Sequence, residues 1–203
     1  MSEYYLNTEN INEWVENLVA GDRVLLSGTV YTARDAAHKR IKELLNEGKD
    51  LPFDLVNSIV YFAGPTPEKE GLAIGSIGPT TSSRMDCFSP LMISLGQKAM
   101  IGKGNRSEDV INAMKEYGAV YFAAIGGAGA LYSKCVEECK VIAFDDLGCE
   151  SVKELKYFNF KMYLDRFTGN NNSRPLIVYD YQNEDNWRAI SIWVASDGTI
   201  SAV

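Results

Sequence analysis

Apolar positions recur along the chain with two different periods, and the change from one to the other near residue 156 divides the sequence into a longer α/β portion and a β-rich tail. Within residues 8–20, Ile11, Trp14, Val15 and Leu18 fall at helical spacing and Gly21 ends the pattern, which predicts an amphipathic helix. RVLLSGTVY (23–31) is a short β-branched run and predicts a strand. The segment after it sets Ala37, Ile41, Leu44 and Leu45 on one helical face as far as Gly48. Thr32 with Asp35 three residues on approximates a capping box for that helix. SIVYFA (58–63) and LAIGSI (72–77) read as two further strands, joined through Pro65, Pro67 and Gly71. Ser89 and Pro90 open a short helix, and AMIG (99–102) is a strand. Ser107, followed by Glu108 and Asp109, starts a helix that Gly118 ends. AVYFAAI (119–125) is a buried strand, followed by a glycine-rich turn, a helix over Leu131–Glu138 and a strand over 140–144. Strands interleaved with helices predict an α/β fold with a partly parallel sheet. KYFNFKMYL (156–164) then alternates at period 2, and LIVYDY, RAISIWVA and the Asp197-Gly198 turn predict an antiparallel C-terminal tail.

Composition narrows the class. The 203 residues suit one domain with a small appendage, and 46% hydrophobic with 23% charged residues excludes disorder, collagen and coiled coil for the whole chain. Twenty Lys and Arg against 27 Asp and Glu give a net charge of −7, which argues against a general nucleic-acid or anionic-membrane binder. Any anion must therefore be caught by a local basic cluster. The start carries acids where a signal peptide needs a basic region, and no stretch approaches the ~18 apolar residues of a membrane span, so a cytoplasmic protein is expected. Cys87, Cys135, Cys139 and Cys149 then read as reduced thiols.

Three polar loops stand out because each follows a strand and precedes a helix or turn, where α/β proteins hold ligands: residues 32–40, 78–86 and 101–107. They offer Arg34, Arg84 and Lys103 beside hydroxyls and backbone N–H groups. Arg presents a planar fork to a carboxylate, Lys adds a point charge, and helix N-termini favour negative charge, so the set suits a small dicarboxylate. Taken singly, each cation also fits an ordinary solvated surface. GPTTSSRMD is harder to read that way: four consecutive hydroxyl residues before an Arg are more than a helix cap needs and are natural in a loop that hydrogen-bonds an anion.

SGTVYTARDAAHKR (27–40), GPTTSSRMD (78–86), IGKGNRS (101–107) and GGAGAL (126–131) occur in this order, and together they resemble the signatures of the β subunit, or C-terminal domain, of class I iron–sulfur hydro-lyases, the fumarate hydratase and L(+)-tartrate dehydratase group. The resemblance runs from about residue 10 to about residue 165. It implies a swivelling β/β/α domain of three layers over residues 1–165; the tail 166–203 has no counterpart in the resemblance and is expected from its own pattern to be a β-rich extension packed on the same domain, extending the sheet, covering an edge or binding a partner. It further implies an α-subunit partner that carries an oxygen-sensitive [4Fe-4S] cluster, with no metal on this chain, in an α2β2-type assembly or with a β–β contact. Arg34, Thr80, Arg84 and Lys103 match the family's substrate-binding positions. Thr80 matches its candidate proton acceptor, a role that stands beside the simpler one of a hydroxyl that only hydrogen-bonds substrate. The implied reaction is reversible hydration of fumarate to (S)-malate. An L(+)-tartrate dehydratase β subunit, a non-catalytic anion- or nucleotide-binding module and a structural subunit are the alternatives. Ser82, Ser83, the Met85-Asp86 pair and the GKGNRS loop lean toward fumarate.

Other signals carry less. His38, the only histidine, shares a helix face with Arg34 and reads as a packing or capping residue, with substrate orientation as the alternative. Cys135 and Cys139 at i, i+4 lack the further ligands a metal needs. The GGAGAL turn misses the third glycine of a dinucleotide fingerprint, which leaves close helix–strand packing as its reading.

Overall fold

Five strands align as parallel neighbours: β1 (Glu3–Asn7) and β3 (Ile59–Tyr61) both pair with β2 (Arg23–Thr32), and β4 (Ala99–Gly102) and β5 (Val120–Ala123) follow in order beyond β3. The computed structural model describes residues 3–18, 22–68, 70–164, 174–183, 186–194 and 200–202, with side chains described through residue 160. Parallel pairing requires crossovers, and helices fill several of them. α1 (Ile11–Trp14) lies between β1 and β2, α2 (Asp35–Asn46) follows β2, α3 (Ser89–Ser94) precedes β4, α4 (Glu108–Tyr117) joins β4 to β5, and α5 (Gly129–Tyr132) follows β5. α4 has the ends its sequence specifies: Ser107 Oγ accepts from the Val110 N–H, and Gly118 closes the helix in the left-handed conformation.

The long strand β7 (Val152–Leu164) then runs antiparallel to β2, to β5 and to β6 (Val136–Ala143). The seven-stranded sheet has the order β1-β2-β3-β4-β5-β7-β6, and the added β2–β7 pairing closes β2, β3, β4, β5 and β7 into a ring. One set of alternate side chains, including Val24, Leu26, Ile59, Tyr61, Ile101, Phe122, Leu155, Tyr157 and Phe160, therefore forms a common core. The opposite set from the parallel strands, Phe62, Met100 and Tyr121, meets His38, Arg106 and Ser82 under the polar loops.

Phe167–Val203 forms a second compact unit, in which β8 (Arg174–Asn183), β9 (Asn186–Val194) and β10 (Ile200–Ala202) make an antiparallel sheet of order β10-β9-β8. The predicted antiparallel tail agrees with this, while the Asp197-Gly198 turn lies outside the described residues.

Four local expectations change. The helix over 8–20 is a series of short turns in which Thr8 Oγ1 accepts from the Thr29 N–H and Trp14 Nε1 donates to the Asn7 carbonyl. LAIGSI is no strand: Ile74 and Ile77 are buried, yet Gly75 N–H donates to Thr66 O and Ile77 N–H to Gly129 O, so the run plugs the core without joining a ladder. The helix expected over 131–138 stops at a 3-10 turn, because Val136 onward pairs with β7. Thr32 forms no capping box: its hydroxyl donates to Ser151 O and accepts from the Lys153 N–H, which ties β2 to β7.

Candidate functional site

The three polar loops gather at the carboxyl ends of β2, β3 and β4, the end of a parallel sheet where side chains from separate crossovers meet. Arg34 is the extended N-cap residue of α2, whose first turn receives its cap from elsewhere: Glu150 Oε2 accepts from the Ala36 N–H at 3.1 Å. The other carboxylate oxygen of Glu150 stands 3.3 Å from Arg34 Nη2. A negative charge at a helix N-terminus is favourable, so Glu150 fixes both the helix and the arginine in front of it.

Asp35 faces two arginines. Arg84 Nε donates to its Oδ1 at 2.9 Å, and Arg34 Nε lies 3.9 Å from its Oδ2. Arg34 Nε and Asp35 Oδ2 are both buried without a hydrogen-bond partner. Buried polar atoms left in this state are uncommon and mark places where a ligand or water completes the set.

Thr80 is joined to Lys103 through the backbone. Thr80 N–H donates to Phe62 O at 2.7 Å, Lys103 N–H donates to Thr80 O at 3.3 Å, and Ser82 N–H donates to Lys103 O at 2.9 Å. The loop 78–82 is thereby seated between the ends of β3 and β4, with bridges from Ala63 to Pro79 and from Thr81 to Lys103. Gly64, next to Ala63, lets the Arg34 guanidinium close in: a Cβ there would stand 2.8 Å from Arg34 Nη1. Gly126 lies beside the Lys103 side chain, with a Cβ position at ordinary contact distance, 3.5 Å from Nζ. Arg34, Thr80, Lys103 and Arg84 thus form one contiguous group, linked through Gly64, the Pro79 bridge and Asp35. Among the described residues, Lys103 Nζ, Thr80 Oγ1 and the terminal nitrogens of Arg84 make no hydrogen bond or ion pair. This arrangement offers three cations and a hydroxyl to an anion, against two carboxylates that orient the arginines.

His38 takes the packing role. It is 2% exposed, its ring lies 5.5 Å from Phe62 and 5.7 Å from Phe88, and its Nδ1 is 2.9 Å from Arg34 O, which as a carbonyl requires the proton on Nδ1. Burial pushes its pKa down to about 4, against a smaller opposing pull from that hydrogen bond, so the ring is neutral near pH 7. The GGAGAL turn also packs as read: Gly129 approaches the Gly78 backbone so closely that a Cβ would stand 2.8 Å from the Gly78 nitrogen.

No [4Fe-4S] cluster fits the residues described on this chain. All four cysteines are free, no three His, Cys, Asp or Glu side chains among the described residues can hold a metal together, and Cys139 lies on β6 rather than one helical turn from Cys135. Burial raises the pKa of both of these thiols. No helix among the described residues is long and apolar enough to cross a membrane.

Two residues that shape the site are not singled out by the sequence: Glu150 and Arg106. Arg106 lies inside the GKGNRS motif, where the cue is a base facing the acid Asp86 of the neighbouring motif. Glu150 had no cue, since its partners are more than a hundred residues away.

Comparison with known proteins places the chain in a family. The family described as Fumarase C-terminus matches residues 1–167. "Fumarate hydratase 2" of Leishmania major is 37% identical over 158 residues, covering 77% of this chain and 28% of that protein. A protein described as the β subunit of L(+)-tartrate dehydratase from Methanocaldococcus jannaschii is 43% identical over 151 residues, covering 72% of this chain and 77% of that protein. "Fumarate hydratase class I, anaerobic" of Escherichia coli is 36% identical over 144 residues, 70% of this chain and 26% of that protein. The chain spans about a quarter of the length of the fumarate hydratases it matches. With a family match over four-fifths of its length, the chain belongs to the Fumarase C-terminus family.

Proposed function

We propose that this chain is the β subunit of a two-subunit hydro-lyase, a cytoplasmic enzyme that reversibly hydrates fumarate to (S)-malate, and that it swivels to close over a dicarboxylate held against an α subunit. The observation that carries this reading is the convergence of Arg34, Arg84 and Lys103 on one loop cluster with hydrogen-bonding capacity left unspent. The [4Fe-4S] cluster implied by the resemblance belongs to the α subunit, where it would supply Lewis-acid chemistry.

This chain's residues bind the substrate and hold its charge. Arg34 and Arg84, oriented by Asp35 and Glu150, present planar N–H pairs to the dicarboxylate. Lys103 adds a point charge from the neighbouring loop. In the dehydration direction the carbon beside a carboxylate loses its proton, and the negative charge that spreads onto that carboxylate is stabilised by these fixed cations more strongly than the ground state is. Thr80 Oγ1 is the proton acceptor at this carbon once its hydroxyl has released its own proton to solvent, an alkoxide that the cations around it favour by lowering the hydroxyl pKa.

Co-expression with the α subunit under anaerobic conditions, followed by assays of fumarate and L-tartrate, tests the reading. Fumarate turnover is expected. Turnover of tartrate instead would make this a tartrate dehydratase, as the relative from Methanocaldococcus jannaschii is described. Failure of a cluster-loaded complex on both substrates would leave an anion-binding module. Arg84→Ala is expected to lower kcat/KM about 10²–10³-fold, the usual cost of removing one charge-stabilising donor.

A further inference from the structure

Beneath the exposed cations lies a charged residue that the proposed chemistry does not use. The Arg106 side chain is 0% exposed. Its Nε donates to Asp86 Oδ1 at 2.7 Å, its Nη2 to Ser89 Oγ at 2.6 Å, and its Nη1 to Met100 Sδ at 3.1 Å. The guanidinium also lies over the rings of Phe62 and Tyr121, 5.2 and 5.1 Å from their centroids. The second oxygen of Asp86 accepts from the Ser107 N–H at 2.7 Å. One carboxylate at the end of loop 78–86 is therefore held by two consecutive residues at the end of loop 103–107.

The same two loops are tied at two other places. Backbone bonds join Thr80 and Ser82 to Lys103, as described above. Tyr121 supplies the third tie: its hydroxyl donates to Gly104 O at 3.1 Å, so the 2.8 Å contact with Ser82 is one in which Ser82 Oγ donates. Arg84 sits between the Ser82 and Asp86 anchors, and Lys103 is itself the backbone anchor, three residues before Arg106.

We infer that Arg106, acting through Asp86 and Tyr121, is a positioning residue that sets the spacing of Thr80 and Arg84 relative to Lys103. This inference rests on the reading of those three residues as the dicarboxylate site. Stability alone does not account for a buried ion pair here. Apolar side chains of similar volume commonly give equal or greater stability, whereas a guanidinium reaches acceptors on separate segments with fixed geometry. What Arg106 adds is register between two loops, and small misplacements of binding groups are costly to catalysis.

The test uses the αβ enzyme with Arg106→Lys, which keeps the charge and loses the fork, together with Tyr121→Phe and Arg84→Ala. Arg106→Lys is expected to raise KM for the dicarboxylate about tenfold with a smaller change in kcat, and Tyr121→Phe to raise it severalfold. A residue that merely supports folding changes the amount of folded enzyme and leaves the KM of that enzyme alone. In an Arg84→Ala background the effect of Arg106→Lys should shrink, because coupled residues are not additive. Wild-type KM in Arg106→Lys, or a KM effect of the same size in both backgrounds, would overturn the inference. Hydrogen exchange at the amides of Thr80, Ser82 and Lys103 reads the same claim without substrate. Exchange about tenfold faster in Arg106→Lys is expected, and unchanged exchange overturns the inference even if the complex turns over no dicarboxylate. That last outcome, with accelerated exchange, would remove the hydro-lyase reading and leave the loop coupling standing.

Discussion

Arg84 and Arg106 end two adjacent loops of similar composition and are treated in opposite ways. The Arg84 side chain is 50% exposed and spends one donor on Asp35, whereas Arg106 is enclosed and spends donors on three acceptors between two aromatic rings. The contrast separates cations that hold the fold from cations held ready by it. Arg34 belongs with Arg84: its ion pairs are longer than hydrogen bonds, and its Nε has no hydrogen-bond partner. A side chain whose hydrogen bonds are complete has nothing to offer a ligand, and one that is half-satisfied and anchored does.

Truncation is the harshest way to break this contrast. Arg106→Ala empties an enclosed site and leaves the largely enclosed Asp86 carboxylate with only the Ser107 N–H, and is expected to cost about 3–5 kcal/mol, while Arg84→Ala, at an exposed pair, should cost under about 1 kcal/mol. For a chain of this size the first corresponds to a fall of roughly 10 °C in thermal midpoint. Calorimetry on the two variants gives the answer directly: equal losses would mean that the exposed arginine is as structural as the buried one.

The difference between these residues also marks what could be read from the sequence. Elements specified by neighbouring residues were legible. The start of α4 follows from Ser107 and its end from Gly118, and the parallel strands announce themselves as short apolar runs. The motifs carrying Arg34, Thr80, Arg84 and Lys103 were legible by their density of hydroxyls and cations, although the first is a loop only at residues 33–34, because Thr32 ends β2 and Asp35 starts α2, and Ser82–Met85 forms a 3-10 turn. LAIGSI was misread because hydrophobicity reports burial and not hydrogen bonding: Ile74 and Ile77 enter the core while their backbone bonds to Thr66 and Gly129. Residues 136–138 were misread as helix because their strand character comes from β7, which the local pattern does not contain. The capping of α2 by Glu150 in place of Thr32 has the same origin, a partner more than a hundred residues distant.

His38 lies at the boundary between the two regions, donating to the carbonyl of Arg34 while packed on Phe62 and Phe88. Its pKa is lowered from 6.5 to about 4, so the unfolded chain binds a proton that the folded chain refuses as pH falls through that interval. Stability is therefore unaffected by this group above about pH 6.5, declines between about pH 6.5 and 4, and has lost its full share below the folded value. At 1.36 kcal/mol per pKa unit the share is roughly 3 kcal/mol. Denaturant titrations between pH 7 and 4 should show this slope in the wild type and not in His38→Asn. The same slope in both would mean that the ring is charged in the folded protein, and that the packing around Arg34 is looser than its neighbours suggest.

The gentlest test changes the exposed side of the comparison without touching a charge. A Cβ at Gly64 would stand 2.8 Å from Arg34 Nη1, 3.1 Å from Arg34 Cδ and 3.2 Å from the Cys149 carbonyl oxygen. The guanidinium end can swing aside, so Gly64→Ala should cost only about 1 kcal/mol of stability. What it displaces is the arginine from its seat beside Glu150 and Asp35. If Arg34 is held ready for an anion, KM for the dicarboxylate rises severalfold while the thermal midpoint moves by a few degrees. A wild-type KM with a methyl group in that space would mean that substrate meets Arg34 in some other position. The unpaired Nε would then be an accident of packing rather than an open contact.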